Sequence, residues 1–191
     1  MKRRLFALAL ALLLEVSLPV SALARDWYID DGDITISATE NGQTVSQGNT
    51  TEADVAPVIK QRDSSNSTDK VIKVIAEKDA TANVTLGGVN IDASSRGNNT
   101  AGIRTTGDGN VTIELDGNNS VKSAVYAAGL QKENGGNLTI KDGNTTAGRL
   151  EATGGIGGAG IGGGAKESAS NITITGGEII ATGGNGSAGI G

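Results

Sequence analysis

A four-residue phrase, asparagine followed by an apolar residue, threonine and a second apolar residue, occurs four times after residue 80. Its copies begin at Asn83, Asn110, Asn137 and Asn171, at intervals of 27, 27 and 34 residues. A second phrase, alanine-glycine followed by isoleucine or leucine, begins at positions 101, 128, 159 and 188, at intervals of 27, 31 and 29 residues. Two markers that share one period are typical of a repeat protein, in which each repeat is one structural unit.

Each copy of the first phrase alternates apolar and polar residues, which is the period of a β-strand with one buried face. The segments between the phrases are rich in Asp-Gly, Gly-Asn and Gly-Gly, which favour turns. A period near 27 residues is too short for a propeller blade and fits one coil of a solenoid. The sequence therefore predicts an all-β fold, a right-handed parallel β-helix with rungs of about 27 to 34 residues.

In such a coil, equivalent side chains stack about 4.8 Å apart. Alignment of the phrases predicts three buried columns: Val84, Val111, Leu138 and Ile172; Leu86, Ile113, Ile140 and Ile174; and Ile103, Leu130, Ile161 and Ile190. It also predicts two outward columns, one of threonines (Thr85, Thr112, Thr139 and Thr173) and one of asparagines (Asn83, Asn110, Asn137 and Asn171).

A glycine-rich phrase, ATGGIGGAGIGGG at 152–164, returns as ATGGNGSAGIG at 181–191. It contains the G-x-G-x-x-G spacing of dinucleotide-binding turns, but that fingerprint requires a helix to follow, and here another β-type run follows. We interpret the phrase as a strand and corner that recur with the rungs. Because the second copy stops at an unpaired rung with Ile190 exposed, we expect the chain to be a fragment of a longer surface protein.

The N-terminal stretch MKRRLFALALALLLEVSLPVSALA has a basic start, a short apolar run and an A-x-A site, which is the layout of a secretory signal peptide. We predict cleavage after Ala24, a secreted or cell-surface location, and no membrane span once the signal is removed. Residues 25–70 then form an N-terminal cap and first irregular rung, and residues 71–191 form the β-helix.

The charge and the residue types of the chain exclude some partners and some kinds of catalytic site. Removing residues 1–24 takes away three basic residues and one acidic residue, so the net charge falls from −5 to −7. This sign argues against nucleic acid as a partner. The sequence contains no histidine and no cysteine, which excludes His-dependent nucleophilic triads and imidazole zinc sites.

Several phrases, among them NVTIELDGNNSV, GGAGIGGG and NITITGGEIIATGG, resemble the carbohydrate-binding-domain-containing parallel β-helix proteins secreted by anaerobic, often clostridial, bacteria. This resemblance covers most of the mature chain, and its motifs are structural rather than catalytic. It implies a fold similar to that of pectate lyases and non-catalytic binding of an extracellular polysaccharide, either cellulosic or acidic and pectic, with calcium in the structure.

The outward asparagine and threonine columns are the candidate polysaccharide-binding residues, since ordered amides and hydroxyls can bond the hydroxyls of an extended glycan. The alternative is structural, because threonine favours strands and stacked asparagine amides bond one another along a solenoid.

Carboxylates at turns are candidate ligands for Ca²⁺, which prefers oxygen donors. One group is the cluster Asp30, Asp31 and Asp33. The other is Asp116 and Asp142, which lie 26 residues apart in two D-G-N turns and are expected to stack on neighbouring rungs. The structural alternative is that Asp-Gly simply forms good turns.

Two further functions stay open. A pectate-lyase-like enzyme or a hydrolase would need paired carboxylates in a groove, for which Glu114 and Asp116 are the nearest candidates, or a base such as Arg104. A passive stalk or adhesin passenger of a larger surface protein would need no site at all.

Overall fold

The computed structural model describes residues 24–191, and it confirms the predicted parallel β-helix. The chain winds through about five coils spaced about 30 residues apart. Of the predicted signal peptide, residues 1–23 lie outside the described residues.

The strands in chain order are β1 (Asp26–Tyr28), β2 (Ile34–Thr39), β3 (Gly42–Gln47), β4 (Thr50–Ala53), β5 (Val58–Lys60), β6 (Ile72–Ala76), β7 (Thr81–Gly87), β8 (Asn90–Asp92), β9 (Ile103–Thr106), β10 (Asn110–Lys122), β11 (Leu130–Lys132), β12 (Leu138–Lys141), β13 (Gly148–Thr153), β14 (Ile161–Gly162), β15 (Ile172–Ile174) and β16 (Glu178–Thr182). A 3-10 turn spans Ile29–Asp31.

Three parallel ladders surround one core. Face 1 contains β1, β5, β7, the first half of β10, β12 and β15. Face 2 contains β2, β6, β9, β11 and β14. Face 3 contains β8, the second half of β10, β13 and β16. The long strand β10 turns from face 1 to face 3 at Gly117, whose φ is +65°, a conformation that favours glycine.

The N-terminal segment already takes part in these ladders. Strand β1 pairs with β5 on face 1, and β2 pairs with β6 on face 2, both in parallel. Strands β3 and β4 extend face 2 as an antiparallel hairpin, and Val45 of this hairpin is fully buried against the first coil. The residues predicted as a cap thus combine a coil with a hairpin at its edge.

The buried columns are confirmed over most of their length. Val111, Leu138 and Ile172 are neighbours on face 1, as are Ile113, Ile140 and Ile174. On face 2, Ile103, Leu130, Ile161 and Ile190 form the predicted column. In the final described coil these residues are less covered, and Ile174 and Ile190 are 38% and 47% exposed.

The alignment of β7 with β10 was wrong by two residues. Val84 lies opposite Ile113 rather than Val111, and Leu86 lies opposite Leu115. Consequently Thr85 does not stack on Thr112, which instead has Asn83 as its neighbour. A two-residue shift leaves every side chain on its original side of the sheet, so the apolar pattern cannot distinguish the two registers.

The corner that precedes β7 sets this register. Ile75 pairs with Thr106, and Thr81 pairs with Asn110. Thr81 therefore lies six residues after Ile75 in one coil, whereas Asn110 lies only four residues after Thr106 in the next coil. The longer corner closes with a turn in which Ala80 N donates to Glu77 O at 3.0 Å and Asp79 takes a φ of +65°.

The glycine-rich phrase is a packed corner. Ala152 and Thr153 of its first copy pair with Ala181 and Thr182 of its second copy. A Cβ atom at Gly184 would collide with the backbone carbonyl of Gly155 in the coil below. The phrase recurs because stacked corners leave no room for side chains.

Candidate functional site

Face 1 carries an outward column of threonines. Thr112 on β10, Thr139 on β12 and Thr173 on β15 are in-register neighbours. Asn83 on β7 occupies the next position beyond Thr112. The predicted threonine column therefore exists over three coils and begins with an asparagine, and its hydroxyls recur about every 4.8 Å.

Thr85 belongs to the neighbouring column. It lies between Val58 on β5 and Glu114 on β10, and Glu114 in turn pairs with Lys141 on β12. The two columns run side by side on the same surface. The first presents the hydroxyl groups of the threonines, and the second ends in the carboxylate of Glu114 and the ammonium group of Lys141.

The four predicted asparagines do not form one column. Asn110 Oδ1 accepts a hydrogen bond of 2.9 Å from the backbone N–H of Asn137, so this side chain bonds the backbone of the next coil and not its side-chain amide. Asn83 is held by the hairpin, because its backbone N–H donates to Gln43 Oε1 at 2.8 Å and its carbonyl accepts from Gln43 Nε2 at 2.9 Å. Asn171 is exposed and has a φ of +58°.

A groove of about 260 Å³ joins these features on face 1. Its floor includes Asn83, Thr85 and Thr112, with Glu114 and Lys141 at one side. Val55 and Ala56, from the segment between β4 and β5, form its wall. Val55 is 50% exposed, so the wall presents apolar surface to whatever occupies the groove.

Asp54 anchors this wall. The residue is 2% exposed, and its carboxylate accepts hydrogen bonds from Trp27 Nε1 at 2.9 Å and from Ala56 N at 3.1 Å. Gln43 Nε2 also donates to the Asp54 carbonyl at 2.9 Å. The sequence had not pointed to Asp54, Val55 or Gln43, since a single aspartate in a polar segment lies outside the repeat.

Glu114 is charged and well satisfied. It forms an ion pair with Lys141 at 2.9 Å and accepts hydrogen bonds from Gly143 N at 2.6 Å and Asn144 N at 3.1 Å. Partial burial raises the pKa of Glu114, but these hydrogen bonds and the charge of Lys141 lower it by more, so the pKa lies below its ordinary value. An ionised carboxylate with its oxygens engaged is a hydrogen-bond acceptor rather than a proton donor at neutral pH.

Of the other candidate catalytic residues, Asp116 lies near Glu114 and Arg104 does not. Asp116 points to the same side of β10 and is level with Gly87 and Lys60. Arg104 lies on face 2, where it forms an ion pair with Glu133 at 3.3 Å. The two carboxylates considered for a hydrolase therefore share one side of β10, whereas Arg104, the base considered for a lyase, lies on another face.

The first group of calcium candidates is engaged by arginines. Arg62 donates to both carboxylate oxygens of Asp31 at 2.7 and 2.8 Å, and its backbone N–H donates to Asp30 at 2.8 Å. Arg96 pairs with Asp33 at 3.0 Å. Within residues 24–191 no three acidic, histidine or cysteine side chains converge on a metal site, so calcium binding at these aspartates stays a prediction from the sequence.

The second calcium pair is not stacked as expected. The register between β10 and β12 ends with Glu114 opposite Lys141, and Asp142 follows in the loop without pairing with Asp116. Asp142 Oδ2 accepts a hydrogen bond from Gly148 N at 3.1 Å, while its buried Oδ1 has no hydrogen-bond partner among the described residues. Calcium binding at Asp116 and Asp142 therefore stays a prediction, and a shared ion would need further oxygen ligands besides these carboxylates.

No protein-family model, curated protein or solved structure matches the chain. The resemblance to carbohydrate-binding β-helix proteins thus rests on the shared phrases alone. Among residues 24–191 there is no helix that is long and apolar enough to cross a membrane.

Proposed function

We propose that this protein is secreted or displayed at the cell surface and binds an extended polysaccharide there without cleaving it. The groove on face 1 is the proposed binding site. The observation that carries this proposal is the convergence of Asn83, Thr85 and Thr112 with the Glu114–Lys141 pair beneath an apolar wall. The signal-like sequence of residues 1–24 supports the location.

The groups in the groove match the chemistry of sugars. A threonine hydroxyl both donates and accepts hydrogen bonds, as sugar hydroxyls do, while Glu114 accepts and Lys141 donates. Val55 and Ala56 offer apolar contacts for the C–H surface of a sugar ring. Because the threonines of face 1 recur with each coil, the surface fits a chain that runs along the solenoid axis better than a single sugar.

The state of Glu114 favours binding over hydrolysis. A glycoside hydrolase needs one carboxyl group that is protonated near neutral pH and a second one placed to act as base or nucleophile. Glu114 has a lowered pKa, and its ion pair and amide contacts hold it as an anion. We therefore propose recognition without catalysis.

Retention on insoluble cellulose and on immobilised polygalacturonate tests this function, using the chain from Arg25 onward. We expect the double variant Thr112→Val/Thr139→Val to lose retention, because valine keeps the shape of threonine but cannot bond a sugar hydroxyl. The matched control is Thr153→Val, a half-buried strand threonine on face 3, which should bind like the wild type.

Each polymer is assayed with calcium and with a chelator, because calcium-bridged binding of an acidic polymer is a separate prediction from the sequence. Retention that survives chelation and is lost in Thr112→Val/Thr139→Val supports direct recognition by the groove. If neither polymer retains the wild type, the binding proposal is wrong and the stalk or adhesin passenger replaces it. Release of new reducing ends from either polymer would instead identify an enzyme.

A further inference from the structure

Two basic residues lie side by side on the outer surface of face 2. Lys73 on β6 and Arg104 on β9 are in-register neighbours in a parallel ladder, so their Cα atoms are about 4.8 Å apart. Lys73 is exposed and Arg104 is half-buried. Like charges directly opposite each other in a sheet are destabilising. Such a pair is stabilised by any negative charge that is placed between the two side chains.

The acidic side chains of this region do not fully supply that charge. Asp69 pairs with Lys70, Asp33 pairs with Arg96, and Glu133 pairs with Arg104. Each of these three carboxylates is therefore already paired with a basic side chain other than Lys73. Within the described part of the chain, Lys73 forms no ion pair and no side-chain hydrogen bond.

A cavity of about 300 Å³ opens beside the pair. Lys73 and Arg104 line it together with Asn99 and Thr100, and the half-buried Val71 contributes apolar surface. Arg104 Nη1 contacts Glu133, and Nη2 donates to the Asn99 carbonyl, so the guanidinium keeps further N–H donors. The cavity therefore combines two cationic groups with polar and apolar walls.

We propose that this cavity binds the carboxylate of an acidic sugar directly, without a bridging metal ion. The free donors of Arg104 and the ammonium group of Lys73 bond the two carboxylate oxygens, and charge-assisted hydrogen bonds of this kind are the strong ones. The sugar ring packs on Val71. This site lies on face 2 and does not depend on the groove of face 1. An experiment is therefore able to disprove one of the two binding proposals without disproving the other.

The test is isothermal titration calorimetry of the chain from Arg25 onward at low ionic strength. The probes are a glucuronate trisaccharide, a galacturonate trisaccharide, the methyl ester of each, and inorganic sulfate. We expect at least one acidic trisaccharide to bind with a chelator present, its ester not to bind, and added salt to weaken binding because these charges are exposed. Sulfate should bind more weakly, since it makes no contact with the apolar wall.

The variant Lys73→Gln should lower the association constant about tenfold or more, as expected for the loss of a charged hydrogen bond. The control Lys78→Gln removes the same charge from an exposed turn and should bind like the wild type. Arg104→Lys keeps the charge and should lose less affinity than Arg104→Gln, with circular dichroism confirming that each variant is folded.

Three results would overturn the proposal. The first is that neither acidic trisaccharide binds the wild type. The second is that the esters bind as well as the acids, or that Lys78→Gln weakens binding as much as Lys73→Gln. The third is that sulfate binds as tightly as the trisaccharides, which would make this a simple anion site without recognition of the sugar.

Discussion

Glu114 and Lys141 face each other on neighbouring coils, with Lys141 Nζ 2.9 Å from Glu114 Oε2. The loop that follows Lys141 then folds back, so that the amides of Gly143 and Asn144 donate to the other carboxylate oxygen. One side chain thus joins the floor of the groove to the strand and loop of the next coil. The same contacts that stabilise the solenoid also set the charge inside the groove.

Replacing this carboxylate by an amide should destabilise the protein. Glu114→Gln removes the ion pair with Lys141 and weakens both amide hydrogen bonds, which we expect to cost about 1 to 2 kcal/mol at pH 7. Urea unfolding of wild type and variant measures the difference. Glu178→Gln is the control, because Glu178 is 67% exposed, its Arg149 contact is 3.6 Å long, and exposed pairs contribute little.

The difference between wild type and Glu114→Gln should depend on pH with a definite sign. The pKa of Glu114 in the folded protein lies below its ordinary value of 4.5. Its stabilising contribution is therefore complete above about pH 4.5 and is lost as the pH falls through the folded-state pKa. A destabilisation by Glu114→Gln that is equally large at pH 3 and at pH 7 would contradict this account.

Disulfide formation reports the register between β7 and β10, and the chain offers a clean background because it contains no cysteine. Asn83 and Thr112 are in-register neighbours, so Asn83→Cys/Thr112→Cys places two Cα atoms about 4.8 Å apart, within disulfide range. Thr85→Cys/Thr112→Cys places them on a diagonal of about 7 to 8 Å, which is too far.

We expect the first pair to oxidise to an intramolecular disulfide and the second pair to keep two free thiols. Thiol titration and mass spectrometry under mild oxidation distinguish the two outcomes. Efficient closure of the second pair, with free thiols in the first, would restore the register predicted from the repeated phrases.

The wall of the groove should depend on Asp54. Asp54→Ala leaves the buried Trp27 Nε1–H without its acceptor, which we expect to cost about 1 to 3 kcal/mol. The single tryptophan of the chain reports unfolding by its fluorescence. The control Glu52→Ala removes an exposed partner of Arg25 and should cost less than about 1 kcal/mol.

If Asp54 orders the Val55–Ala56 segment, Asp54→Ala should also weaken polysaccharide retention at temperatures where the variant is fully folded. Normal retention by the folded variant would show that the wall contributes nothing to binding.

The sequence alone was sufficient for the parallel β-helix, its three buried columns in outline and the structural role of the glycine-rich phrase. These features are encoded locally: strand alternation has a period of two residues, and each coil repeats the same turn residues. Thr112, Thr139 and Thr173 were correctly expected to share one column because the corners between their coils keep the phrases aligned.

Tertiary structure decided what local patterns leave open. The register of β7 depends on a corner that is two residues longer than the next one, and a shift of two residues keeps every apolar side chain inside. Asp33 meets Arg96 across 63 positions, a pairing that no local spacing predicts. One wall of the groove comes from Val55 and Ala56, a segment outside the repeat that follows the buried Asp54. Contacts between distant segments depend on how the coils stack, and that stacking is fixed only when the whole chain has folded.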